Sequence, residues 1–200
     1  MSVFDNNRVD QSNVVANKVT GRDDNSDNSV TNITNIFGPT VYNEDKTLKK
    51  LLAEHETEKL HNQEYRSFSE ELNKFFIKSL KNKLRDLEQK LIDGNREYLV
   101  EAALDSKEKL TRKISRLSHY KSAQDIYTYL LTNIRTAFLH EVGSKIKSGS
   151  FREHEINDIV SHKIIDPILH NLQGSSLNID KDELYGALYF LTGNCYIEWD

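Results

Sequence analysis

Thiols are nearly absent: Cys195 is the one cysteine in 200 residues. That excludes a disulfide framework and a multi-thiolate zinc site. Long apolar runs are missing too. The longest, Ala187 to Leu191, falls far short of the roughly 20 residues that cross a bilayer. The N-terminus has no apolar core, so no secretory signal is visible, and a soluble cytoplasmic protein is expected. There is no GxxxxGK[ST], GxGxxG or GxSxG. His140-Glu141 and His154-Glu155 both lack the second histidine of HExxH. Nothing here signals an enzyme or a cofactor. Nor does one sign of charge dominate, with 27 Lys+Arg against 31 Asp+Glu. A protein that coats polyanions wholesale is thereby excluded, although a local basic stripe is not.

What is present is unevenly spread. Eight asparagines and five aspartates lie in the first 40 residues, and leucine first occurs at Leu48. Residues 1–44, 45–121 and 122–200 carry net charges of −3, +4 and −5, which sum to −4. The first zone is polar enough to be disordered. Yet its apolar residues are nearly all β-branched (Val9, Val14, Val15, Val19, Val30, Ile33, Ile36), and Val30-Thr31-Asn32 repeats as Ile33-Thr34-Asn35. That pattern also suits short strands in a narrow solenoid, which needs identical neighbours to bury its stripe. Residues 1–44 are therefore a leader, either disordered or a small β-rich homo-oligomerisation element.

Beyond it the chain reads as all-α. From Asp45 to Val142 there is no proline and one glycine, Gly94, across 98 residues. A connecting helix is expected at 47–62 within segment 45–64, ahead of a helical domain over 65–200. Leu72, Phe75, Phe76, Leu80, Leu84, Leu87 and Leu91 recur every three or four residues, which predicts one long amphipathic helix over 67–93 closed by Gly94. Further helices are expected at 97–104, 107–117 and 122–142, the last with Ser122 as N-cap. Gly143 to Ser150 should be a loop. The 152–172 helix should be kinked or split by Pro167. A helix at 181–191 follows, capped by Asp180, and then an extended tail.

Lys74, Lys78, Lys81 and Arg85 share one face of the long helix, and Lys109, Arg112, Lys113 and Arg116 form a second basic face. Such stripes suit phosphate contacts, so these eight residues are the candidates for touching nucleic acid. They equally suit a solvated helix face. Glu70 before Lys74, Asp86 before Lys90 and Glu108 before Arg112 are stabilising i,i+4 pairs. His154, Asp158 and His162 stand at intervals of four, but the second histidine lies some 80° around the helix from the first, so no metal site is assigned. Cys195 has no nearby base and reads as a small buried hydrophobe. Tyr185, Tyr189, Phe190, Tyr196 and Trp199 crowd the last 16 residues. They read as core or as a partner-docking surface, for which Asn194, Tyr196 and Trp199 are the candidates.

The stretch Glu183–Asp200, ELYGALYFLTGNCYIEWD, resembles the terminal signature of a C-terminal domain of bacterial ABC three-component conflict systems, class ten in that series. Tyr120–Ile134 and Glu155–Leu172 are similar to the same domain, so the resemblance covers roughly 65–200. Members often carry His where this chain has Tyr196. The resemblance implies a third component tied to an SMC-like ABC ATPase and a middle component, which together detect invading DNA or phage activity. Third components usually bring an N-terminal effector. The residues ahead of this domain hold no nuclease motif, so the effector activity is expected in another protein or on assembly. The expected role is a non-enzymatic adaptor or sensor, homo-oligomeric through its leader and acting off the membrane. The alternative is a stand-alone nucleic-acid-binding protein.

Overall fold

The computed structural model describes residues 41–61, 69–77 and 85–200. The expectation for the leader falls almost wholly outside these residues, as do Lys78 and Lys81. The described residues carry α1 (Lys46–His61), α2 (Glu70–Phe76), α3 (Leu87–Asp93), α4 (Val100–Leu117), α5 (Lys121–Ala137), α6 (Ser144–Ser148), α7 (Glu153–Ile159), α8 (Asp166–Leu172) and α9 (Lys181–Gly193). A 3₁₀ turn, Glu97–Leu99, leads into α4. π-helical turns at Phe138–Gly143 and Val160–Ile165 join α5 to α6 and α7 to α8. No strand occurs among the described residues, so the fold is all-α as expected.

The centre is α9. Between Glu183 and Gly193 every side chain but Tyr185 is buried, and a helix apolar on all sides belongs in the middle of a bundle. Its start is a capping box, in which Asp180 accepts from the Glu183 amide at 2.8 Å and Glu183 accepts from the Asp180 amide at 3.1 Å. Packed around it are α3, α4, α5 and α8, with α4 the most extensive neighbour. Gly186 sets that crossing. A Cβ there would lie 2.3 Å from the Ser106 carbonyl oxygen of α4, so only glycine admits so close an approach.

Several expected boundaries are corrected. The helix foreseen over 67–93 is two helices. α2 stops at Phe76 because Ile77 turns extended (φ −80°, ψ 110°), and the α2 carbonyls find tail side chains instead of further amides. α3 restarts at Leu87, where Asp86 accepts from the Gln89 amide at 2.8 Å. Asp86 is thus a cap and not the partner of Lys90. Gly94 is not left-handed; Asn95 is (φ 58°). The Arg96 amide reaches back to the Leu91 carbonyl at 2.7 Å, the 6→1 bond of a Schellman ending. The helices expected at 97–104 and 107–117 are one. Residues 143–148 are helical, and the left-handed Gly149 (φ 63°) ends that run. Pro167 does not split the expected 152–172 helix: the chain stays helical from Glu153 to Leu172, with a π turn at Val160–Ile165 just before the proline. The ring then sits in the first turn of α8, where a missing amide is harmless.

Ser122 is helical rather than an N-cap, since α5 begins at Lys121. Its hydroxyl is 2.7 Å from Nδ1 of His55 on α1, a ring only 2% exposed and set edge-on to Tyr120. Glu58 of α1 accepts from the amides of Lys121 (3.0 Å) and Ser122 (2.7 Å), capping α5 from outside. Burial, aided by Lys59, holds His55 below its ordinary pKa, against the opposing pull of Glu56 and Glu58. The folded state thus favours neutral His55, and the unfolded chain takes up its proton first. Stability from this group is complete above about pH 6.5 and falls as pH drops below that. We expect wild-type unfolding free energy to decline between pH 7 and pH 5, above the ordinary carboxylate range. His55→Gln, which keeps an acceptor for Ser122, should flatten that decline in urea titrations at each pH. An unchanged slope would show that His55 does not titrate in this window.

Candidate functional site

The tail after α9 gathers most of the unusual side chains. α9 closes in a second Schellman ending, with the Tyr196 amide on the Leu191 carbonyl (2.9 Å) and the Cys195 amide on that of Thr192 (3.2 Å). Cys195 holds the left-handed position (φ 64°) that glycine would fill without cost. Its place in the chain is thus accounted for by backbone geometry. From there residues alternate: Ile197 and Trp199 point inward and are buried, while Glu198 and Asp200 point outward and are exposed.

Four cations fasten this tail. Lys90, 1% exposed, donates to the Thr192 carbonyl at 2.9 Å and pairs with Glu198 at 2.8 Å. It thereby adds a second donor to a carbonyl at the end of α9, where a cation also complements the helix dipole. Arg85 forks onto the Asp200 carboxylate at 2.7 and 2.8 Å, and also reaches Asp93 (2.6 Å) and Glu198 (2.9 Å). Its bonds to Asp200, then to Asp93, raise its pKa. In return Arg85 is the chief cause holding the Asp200 carboxyl below the usual range, while Gln89 and then Arg85 do so for Asp93. Arg96 is buried, places its guanidinium 4.6 Å above the Trp199 ring, and donates to Asn157 Oδ1 at 3.1 Å and to the Gly94 carbonyl. Burial lowers its pKa, so the ring and the two acceptors must offset its desolvation. Arg135 lies 5.1 Å from the Tyr196 ring.

Two of the three residues expected to form a docking surface are interior in this geometry. Trp199 is 4% exposed, edge-to-face with Phe138 at 4.9 Å, and donates from Nε1 to Thr192 Oγ1 at 3.1 Å. Asn194 is buried and donates to the Phe75 carbonyl at 3.1 Å. Tyr196 is half-buried, and its hydroxyl donates to the Lys74 carbonyl at 2.6 Å. Asn194 and Tyr196 thus satisfy the last carbonyls of α2, while Trp199 is an interior anchor. Asn194 is enclosed, and Trp199 reaches solvent only along the lining of a cleft beside α9.

The basic faces are largely turned to internal use. Lys109 pairs with Asp180 (2.8 Å) and Asp182 (2.9 Å), and both raise its pKa. Lys113 pairs with the buried Glu183 at 2.7 Å and donates to the Asn178 carbonyl at 2.9 Å. Those two lysines of α4 clamp the acidic N-terminus of α9, a favourable place for the acids themselves. Arg112 keeps the expected Glu108 pair at 3.6 Å, and both Lys74 and Arg116 are exposed. Arg85 serves the tail. Of the second basic face, Lys109, Arg112 and Arg116 still line one groove of α4 together. His154 and Asp158 are exposed, and His162 Nδ1 lies 2.8 Å from the Asp158 backbone carbonyl. Among the described residues, no three ligating side chains are placed to hold a metal ion. No helix among them is long and apolar enough to cross a membrane.

Lys90 and Arg96 were not foreseen as interior residues. One signal was available for Lys90: it lies three residues after Leu87 and four before Gly94, on the apolar row of α3 rather than opposite it.

A family model matches residues 86–199: C-terminal domain 9 of the ABC-three component (ABC-3C) systems. The match runs from the cap of α3 to Trp199, so it takes in the whole arrangement of α3, α4, α5, α9 and the tail. It is the series of domains that the tail resembles, with the class nine in place of ten. No curated protein and no solved structure matches the chain.

Proposed function

Since the chain belongs to the family of C-terminal domain 9 of the ABC-three component systems, we propose that it is the non-enzymatic adaptor or sensor of such a bacterial defence system. In this reading it couples an SMC-like ABC ATPase and a middle component, acts against phage or plasmids in the cytoplasm, and multimerises through residues 1–44. The observation that carries the reading is the family match itself, laid over a module whose signature tail is spent on holding the fold. Asn194, Tyr196 and Trp199 cap, tether and fill. A direct role in chemistry has no support from the tail, where Cys195 fills a backbone position.

The test is native co-purification of the full chain with the ABC ATPase and middle component encoded beside it, followed by mass measurement with and without residues 1–40. A stable complex containing all three, with fewer copies of this chain once the leader is removed, is expected. Absence of co-elution at low salt would overturn the adaptor reading, and an unchanged mass would overturn multimerisation through the leader.

A further inference from the structure

The surface most suited to a partner is an apolar cleft beside α9. A cleft of about 260 Å³ opens between α4, α9 and the α7–α8 run. Leu99, Ala102, Val160, Tyr185, Leu188 and Tyr189 make its walls, and Trp199 contributes to its lining. Among its polar members, Asn157 accepts from Arg96 and donates to the Tyr98 hydroxyl at 2.9 Å, and Ser106 donates to Asp182. Burial pushes the Tyr189 phenol up to about 12. Tyr98, 66% exposed, stands beside the cleft through its bond to Asn157. An interior of this kind can reward apolar atoms and little else.

Size and charge then restrict the occupant. The volume lies under the roughly 300–1,000 Å³ typical of pockets for drug-sized ligands, yet it matches one bulky side chain with part of a neighbour. The surroundings are acidic. Glu101 and Asp105 are exposed and form the row of α4 next to Ala102 and Ser106. Glu153 stands across from them on α7, bonded by Tyr98, and Asp182 lines the α9 side. The nearby cations are committed: Lys109 to Asp180 and Asp182, Lys181 to Asp166, and Arg96 to Asn157, Gly94 and the Trp199 ring. Asp182 is thus itself paired, and it is Glu101 and Asp105 that set the sign at the mouth. We infer that this cleft is the docking site for a partner-protein segment carrying a bulky apolar or aromatic side chain flanked by Lys or Arg. The inference rests on the adaptor reading, and names the surface and the partner chemistry that reading leaves open. Anchoring in a desolvated aromatic pocket supplies the affinity. The acidic surround steers the segment in and rejects acidic competitors.

Trp199 is the one tryptophan in the chain, so its fluorescence reports occupancy of the cleft it helps to line. The full chain is titrated with an end-blocked six-residue peptide, Phe-Leu at its centre and Lys or Arg on both sides. Two control peptides replace the basic residues by Glu, or Phe-Leu by Ser-Ser. The variant is Ala102→Arg, an exposed helical position where arginine keeps good helix propensity and blocks the mouth with a positive charge. The basic peptide should bind with a shift in Trp199 emission, and both controls and Ala102→Arg should bind about tenfold or more weakly. No spectral change, equal binding of all three peptides, or full binding by Ala102→Arg overturns the inference. In the native co-purification, Ala102→Arg should lose the partner complex. If wild type forms that complex and Ala102→Arg forms it equally well, the cleft is not the docking site while the adaptor reading stands. If wild type forms none, the adaptor reading falls and the peptide titration alone decides the cleft. A native mass that halves in Ala102→Arg would identify the occupant as a second copy of this chain and overturn the inference too.

Discussion

Trp199→Ala lowers the unfolding free energy of the isolated chain by about 3–5 kcal/mol, the usual cost of removing a buried tryptophan. Three losses combine in that figure. The ring leaves an unfilled space against Phe138, and the Nε1 bond to Thr192 disappears. The Arg96 guanidinium, set 4.6 Å over the ring, also keeps its burial while losing the π face that helps to offset it. Trp199→Phe restores a ring in the same place and gives up the hydrogen bond, so it should recover more than half of the loss. Thermal melting of the two variants checks this, with a fall in Tm on the order of 10 °C expected for the alanine at this chain length. A docking residue on the surface would behave differently, weakening a complex and leaving the isolated chain as stable as before. A loss under about 1 kcal/mol in the isolated chain would contradict the interior position.

Gly186→Ala is the second large effect, and its sign runs against helix propensity. In an exposed helix the change is worth about 1 kcal/mol in favour of alanine. At this crossing the new methyl group would sit 2.3 Å from the Ser106 carbonyl oxygen and 2.9 Å from its carbon. Both are backbone atoms of a regular helix and cannot swing aside. α4 has to move away by about 1 Å, which strains Lys109–Asp182 and Lys113–Glu183 together. A net destabilisation of about 3 kcal/mol is expected from such overpacking, read as a lower urea midpoint with an unchanged slope. Equal or greater stability would mean that the two helices are not in contact at this point.

Local signals were the legible part of this chain. α1 and α9 start within a residue of their expected positions, α9 because Asp180 is an N-cap that can be read from the sequence. The all-α class follows from a stretch almost free of glycine and proline. The break after Phe76 was not legible. The leucine stripe continues through it at unbroken helical spacing, and what ends α2 is Asn194 and Tyr196, more than 115 residues away. Lys90 and Arg96 were obscured for the same reason: a charged side chain reads as solvated until the groups that receive it are known. The docking residues went astray because aromatics at a tail suit a core anchor and an interface hot spot equally well, and burial alone separates the two. The left-handed Asn95 and Cys195 show the same limit in the backbone. Each follows its helix end by two residues, and it is the tertiary return of the chain that selects the ending.

The tether between Lys90 and Thr192 spans 102 residues, which gives the module an order in time. During synthesis α3 leaves the ribosome about 5–20 s before its partners in α9 exist. Through that interval Lys90 has no carbonyl to hold and Arg96 has no ring beneath it, so α3 and α4 wait with their apolar faces uncovered. The nascent chain therefore passes through a stage at which chaperones, or a neighbouring copy, have the first opportunity to engage it. Closure comes only when Ile197 and Trp199 arrive, and the surface between α4 and α9 comes into being at that same moment.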